Sequence, residues 1–171
     1  MDLKDVLFEE VGSEADVPEL TAVMTRAFDD DTQKHLGQER GGPPGYDDGE
    51  FFRKWLFGCP ESVGYKIVTD GRMIGGMIVW VFRSGHNALG TVFVDPGYQD
   101  QGVGAGAWAF VEESYPETKS WKLETPRWAT KNHYFYEEKC GFRKVDETED
   151  AFVYKKEMRK DEPRAEGRLI P

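Results

Sequence analysis

The chain has 171 residues, the size of one ordinary domain, and its 39% hydrophobic and 13% aromatic content is too rich for a disordered chain. A net charge of −10 opposes the phosphate neutralisation on which nucleic-acid binding rests; it aids solubility and suits cationic small molecules. The longest nearly apolar stretch, Met73 to Phe82, is half of what a membrane span needs, so membrane span, collagen, coiled coil and disulfide scaffold are all excluded.

The first ten residues contain Asp2, Lys4, Asp5, Glu9 and Glu10, which is not a secretory pattern, so a cytoplasmic protein is expected. Asp5 to Val11 predicts a first strand. Ser13 suits a helix N-cap, and Val17, Leu20, Val23, Met24, Ala27 and Phe28 follow at helical spacing, predicting a helix to about Phe28. Asp29, Asp30 and Asp31 then mark its end, where acids oppose the helix dipole. Gly41 to Gly49 reads as a flexible loop, and Asp47 or Asp48 caps a second helix with Phe51, Phe52, Trp55 and Leu56 on one side.

From Gly64 the period changes. Tyr65 to Thr69 and Met73 to Phe82 read as strands joined by the hairpin turn Asp70-Gly71-Arg72, and Leu89 to Val94 as the next strand after a polar turn at Ser84 to Asn87. Gly102 to Tyr115 predicts a helix, Trp121 to Thr125 a strand, and Asn132 to Cys140 a short helix closed by Gly141. Phe142 to Val145 and Ala151 to Lys156 form a closing hairpin. Residues 1–157 are expected to make one domain and residues 158–171 a charged tail. Cys59 and Cys140 show no Cys-x-x-Cys spacing, so no metal site is expected, and Cys140 reads as a packing residue. His35 and His86 carry no recognisable partner.

The most informative segment runs from Val92 through Asp95-Pro96-Gly97 to Gly102-Val103-Gly104-Ala105-Gly106, a strand leading through a glycine-rich turn into a helix. Glycines let backbone N–H groups converge on an anion where the helix N-terminus adds positive charge. Close helix–sheet packing is the plain alternative. A dinucleotide reading fits Gly102-x-Gly104-x-x-Ala107 with Glu124 on the next strand, but seven residues separate Val94 from Gly102 and the preceding strands read as antiparallel. An NAD(P)-binding oxidoreductase is therefore the weaker alternative.

Gln99-Asp100-Gln101-Gly102-Val103-Gly104 resembles the Gln/Arg-x-x-Gly-x-Gly/Ala signature of the GNAT superfamily, the acyl-CoA-dependent N-acetyltransferases. Val92 to Pro96 resembles that family's fourth strand, Trp121 to Thr125 its fifth, and Phe135-Tyr136-Glu137 through Gly141-Phe142 its tyrosine-bearing helix, so the likeness covers roughly residues 60 to 156. The resemblance implies an α/β (α+β) fold: a mixed, largely antiparallel sheet of about six to seven strands flanked by about four helices. It implies acetyl-CoA as cosubstrate, held by the backbone of Val92, Phe93 and Val94 along the pantetheine. Gln99, Asp100, Gln101, Gly102, Val103, Gly104 and Ala105 would surround the pyrophosphate, and Asn132 would contact the same ligand.

It further implies N-acetyl transfer to a primary amine by direct attack, with Tyr136 as general acid and Glu124 as general base, directly or through a water. One more residue than the family spacing separates Tyr136 from Gly141, which keeps Tyr134 as an alternative acid, and a solvated acid beside Arg127 remains the plain reading of Glu124. His133 is a candidate proton shuttle or a packing residue. A small-molecule amine is the expected acceptor; acids and aromatics between Asp29 and Trp55 suit a cationic one, with a protein or peptide amine as the alternative. Many relatives are homodimers, and a non-catalytic CoA-binding module of the same fold is the second functional reading.

Overall fold

The computed structural model describes residues 2–158, so the expected charged tail, Met158 excepted, lies outside the described residues. In chain order the elements are β1 (Val6–Glu10), α1 (Val17–Leu36), α2 (Glu50–Phe52, continued by a π-helical turn over Arg53–Phe57), β2 (Ser62–Thr69), β3 (Arg72–Trp80), β4 (His86–Val94), α3 (Val103–Ser114), β5 (Ser120–Pro126), α4 (Thr130–Tyr134, continued by a π-helical turn over Phe135–Lys139), β6 (Arg143–Glu147) and β7 (Ala151–Glu157). The strands make one sheet in the order β1-β2-β3-β4-β5-β7-β6. Every adjacent pair is antiparallel except β4 with β5. This is the expected mixed sheet with four helices, and its single parallel pair joins only the first residues of β4, His86 to Ala88, to the start of β5.

Local chemistry accounts for the elements that position the site. Asp70 and Gly71 both have positive φ, at 50° and 73°, so the two-residue turn matches the twist of β2 and β3 and sets their register at Thr69↔Arg72. One face of the sheet packs Met73, Ile78 and Phe93 against Leu20, Val23, Met24, Phe52 and Leu56 of α1 and α2. The other packs Ile74, Met77 and Val79 against Val103, Trp108 and Val111 of α3, with Tyr136 and Cys140 of α4 in the same cluster. Trp121 of β5 is fully buried there, its ring 5.2 Å from that of Trp108.

Several expectations are corrected. Helix α1 continues eight residues past Phe28 to Leu36 and stops at Gly37, whose φ is 68°. Asp29 to Asp31 therefore lie inside it, and Lys34 and His35 occupy the last turn, where cations are favoured. The 41–49 loop is anchored: Tyr46 is buried and its hydroxyl donates to Asp29 at 2.6 Å, while the Thr32 hydroxyl donates to the Gly41 carbonyl at 2.7 Å. In α2 the π turn swings Trp55 away from Phe51, Phe52 and Leu56; it is one-third exposed and meets the edge of Trp80 at 6.0 Å. His86 and His35 do have partners, the Ser120 hydroxyl at 2.7 Å for His86, and the Asp31 carbonyl and the Trp128 ring for His35. Among the described residues no helix is long and apolar enough to cross a membrane.

Candidate active site

The site begins with a defect in the sheet. Ile78 of β3 faces Thr91 and Val79 faces Leu89, so Gly90 of β4 is a bulge with no partner. A Cβ there would lie 3.0 Å from the Trp80 ring, which explains the glycine. Bulges bend and over-twist a strand, and β4 indeed leaves β5 at this point: the pair is in register only over His86↔Ser120, Asn87↔Trp121 and Ala88↔Lys122. From Leu89 to Val94 the side of β4 that faces β5 has no neighbouring strand. Such an edge offers backbone donors and acceptors to any extended ligand laid along it.

A cleft of about 550 Å³ opens along this edge, within the ordinary size range of small-molecule sites. Val92, Phe93 and Val94 form one wall, and Gln99, Asp100, Gly102, Val103, Gly104 and Ala105 close one end. Gly102 has φ of 87° and opens α3 with no side-chain cap, leaving the first helical N–H groups at the cleft. These unmatched donors and the helix dipole favour an anion. Gly104 is required for a second reason, because its Cβ would come 3.1 Å from the Phe135 ring. The close-packing reading of the glycines thus holds at Gly104, while Gly102 leaves the start of the helix open to the cleft. Gln101 is exposed and does not line the cleft.

The turn is braced by side chains. Gln99 donates to the Val94 carbonyl at 2.8 Å and accepts from Lys131 at 3.1 Å, while Lys131 also pairs with Asp100 at 3.3 Å. Lys131, Lys139 and Asn132 of α4 face the same cleft, and Asn132 is held by a 3.2 Å bond to the Thr125 hydroxyl. The two lysines are cleft-lining residues that the sequence pattern does not reveal, since they fall outside the glycine turn and on a helix too short for a clear periodicity.

Tyr136 lies on the far wall, only 8% exposed, and its hydroxyl makes no hydrogen bond among the described residues. Burial, reinforced by Cys140 and Asp31, raises its pKa, so the phenol keeps its proton at neutral pH. The additional residue before Gly141 is absorbed by the π turn: Cys140 N–H donates to the Phe135 carbonyl five residues back at 3.1 Å, and Phe142 N–H to the Tyr136 carbonyl at 2.9 Å. Tyr134 lines the cleft too but is 58% exposed. His133 is a packing residue, its Nε2 bonded to the Pro126 carbonyl at 2.9 Å and its ring 4.6 Å from Phe152. The Cys140 thiol is buried and its pKa is pushed up to about 12 by that burial, so it is inert.

Glu124 is not brought together with these residues. Its neighbours Leu123 and Thr125 are buried, Leu123 against the α3 side, so Glu124 alternates to the face that carries α1; it is exposed and does not line the cleft. Arg127 pairs with Glu147 at 2.5 Å rather than with Glu124. Asp31 of α1, by contrast, does line the cleft beside Ala27 and Phe28. The available signal was spacing: Asp31 falls three and four residues after Phe28 and Ala27, hence on their face of a helix that continues.

A strand edge opened by a bulge, ending at an uncapped glycine-rich helix in a mixed seven-stranded sheet, is the architecture of acyl-CoA-dependent acetyltransferases. The chain matches the family described as "Acetyltransferase (GNAT) family" over residues 23–142 and belongs to it. It is 34% identical over 138 residues to the uncharacterized protein YrkN of Bacillus subtilis, covering 80% of this chain and 73% of that one. Solved structures share the fold at low identity. An acetyltransferase from Thermus thermophilus superposes with a TM-score of 0.76 at 15% identity, covering 92% of this chain and 99% of that chain. The PaiA N-acetyltransferase of Thermoplasma acidophilum, solved in complex with coenzyme A, gives 0.70 at 15% identity, covering 89% and 98%. The ribosomal-protein-S18-alanine N-acetyltransferase of Escherichia coli gives 0.70 at 16%, covering 91% and 96%.

Proposed function

We propose that this protein transfers the acetyl group of acetyl-CoA to a primary amine on a small molecule, by direct attack through a tetrahedral intermediate. The observation that carries the reading is the unpaired edge of β4 running from the uncapped start of α3 toward the buried Tyr136 hydroxyl. An extended pantetheine arm fits along Val92, Phe93 and Val94 as a further strand would, accepting and donating backbone hydrogen bonds. A β4 N–H there polarises the thioester carbonyl and stabilises the oxyanion as it forms. The pyrophosphate fits the turn from Gln99 to Ala105, where Gly102 to Ala105 offer N–H groups and Lys131 adds positive charge; Asn132 flanks it. The coenzyme A held by the Thermoplasma relative agrees with this assignment.

Attack of a neutral amine on the carbonyl carbon forms the C–N bond as the thioester C–O π pair moves to oxygen. Collapse of that intermediate breaks the C–S bond, and the thiolate takes a proton from Tyr136, whose phenol is kept protonated by burial. The proton lost by the amine goes to Glu124 through a water, since Glu124 stands on the α1 face of β5 and outside the cleft lining. That remote placement is also what favours the second reading, a CoA-binding module without catalysis.

Calorimetric titration with acetyl-CoA, with NADH and NADPH as controls, tests the cofactor. Micromolar acetyl-CoA binding with silent controls is expected, and no acetyl-CoA binding overturns the reading. Release of free thiol in the presence of an amine panel then separates the enzyme from the binding module.

A further inference from the structure

The three consecutive acids of α1 are chemically identical yet differently occupied. Asp29 accepts hydrogen bonds from the Gly41 N–H at 3.0 Å and from Tyr46, so it is consumed in fastening the 41–49 loop. Asp30 pairs with Lys34 at 2.9 Å, one turn along the same helix. Asp31 alone has a carboxylate with no ion pair and no hydrogen bond among the described residues, and it alone of the three lines the cleft.

Its position follows from how α1 is pinned. Arg26 bonds Asp95 just beyond the end of β4 at 2.7 Å, and His35 packs on Trp128, in the connection from β5 to α4, with ring centroids 5.8 Å apart. Between those two anchors the helix crosses the mouth of the gap where β4 and β5 diverge, and Asp31 sits midway. It is electrostatically coupled to Tyr136 on the opposite wall and to Lys131, which is already engaged by Gln99 and Asp100.

A half-buried carboxylate without a cation is costly, and burial raises the Asp31 pKa although His35, Lys131 and Lys34 oppose the rise and Asp30 adds to it. None of these cations forms an ion pair with it among the described residues. Phe28 beside Asp31 and Phe135 across the cleft supply apolar and π surface for the carbon chain of a cationic ligand. The net charge of −10 draws cations toward the mouth.

We infer that Asp31 is the acceptor-anchoring residue, receiving an ammonium group of an aliphatic di- or polyamine that reaches the cleft from the α1 side. This rests on the acetyl-transfer reading for the ligand on β4, but it is tested separately. The CoA-loaded protein is titrated calorimetrically with 1,4-diaminobutane and, as the uncharged control, 1,4-butanediol. The diamine is expected to bind and the diol not. Asp31→Asn is expected to weaken diamine binding at least tenfold with CoA affinity unchanged, Asp31→Glu to restore part of it, and Asp30→Asn to leave it within about twofold. Equal binding of diamine and diol, or undiminished diamine binding by Asp31→Asn, overturns the assignment. Failure of the underlying acetyl-transfer reading is distinct, because it shows in the unaltered protein as absence of CoA binding, or as CoA binding without thiol release in the presence of amines.

Discussion

Tyr136 is enclosed on every side except the one facing the cleft, and that enclosure sets what its hydroxyl can do. It has no hydrogen-bond partner to lose among the described residues and a raised pKa that keeps it protonated. Tyr136→Phe is therefore expected to leave folding and acetyl-CoA affinity within about twofold of the parent while turnover falls about 10²–10⁴-fold, the usual range for one proton-transfer role. Unchanged turnover removes the acid from Tyr136. Asp95 illustrates a different use of charge. Its burial works against ionisation, but the Gly97 N–H at 3.0 Å and the Arg26 guanidinium outweigh that, with Arg72 adding to them, and lower its pKa below 3.8. A depressed carboxylate stabilises the fold in full above its unfolded value and loses that contribution as pH falls through the folded one. Asp95→Asn is expected to destabilise by about 1.5 kcal/mol at neutral pH, the low end for charged hydrogen bonds because Arg26 is half exposed. In urea unfolding curves the gap between parent and variant narrows as pH falls below 3.8. A pH-independent gap shows that the bond works through geometry and not charge.

At the level of elements, the contact between α3 and α4 decides whether the cleft keeps its width. Gly104 has the Phe135 ring 3.1 Å from where its Cβ would be, and Phe135 begins the π turn that presents Tyr136. Gly104→Val adds three carbons to this contact, forcing the helices apart or tilting α3 away from the N–H positions that an anion needs. Acetyl-CoA affinity is expected to fall at least tenfold, with a loss of about 1–3 kcal/mol in stability typical of overpacking. Retained affinity means that Phe135 yields and the cradle is adaptable. Elements were legible in the sequence where one period governs them. The Asp-Gly hairpin, the Ser13 turn and the apolar stripe of α1 as far as Phe28 all follow from local spacing. Beyond Phe28 the helix no longer lies over the sheet but over a loop and a cleft, so its inward face turns polar at Thr32 and Asp31 and the apolar signal ends before the helix does. The π turn of α4 was visible only as one residue too many between Tyr136 and Gly141, because a 3.6-residue period cannot express a turn of five-residue hydrogen bonds.

For the molecule as a whole, the decisive feature is a sheet that is incomplete by one strand at its centre. Its seven-stranded order depends on which strands meet across long loops, and the ordered motifs between Val92 and Phe142 indicated it only through likeness to a family. The gap itself was not legible, since its cause, the Gly90 bulge against Trp80, lies in a contact between strands and not in any local pattern. An extended ligand that completes the sheet makes a particular claim on dynamics. Amides along Leu89–Val94 and on Leu123–Thr125 lack a strand across the gap, whereas β2 and β3 pair with each other along their length apart from the bulge at Ile74. Acetyl-CoA at about 100 times its Kd is expected to add about 2.7 kcal/mol and, at roughly 2–4 °C per kcal/mol for a chain of this size, to raise Tm by about 5–10 °C. Hydrogen exchange should slow most at Leu89–Val94 and at the start of α3, while β2 amides change only by the global amount. Protection confined to α3, with none on β4, means that the phosphates bind but the pantetheine does not fill the gap. That outcome moves the thioester away from the Tyr136 hydroxyl and leaves catalysis at this cleft without its geometry.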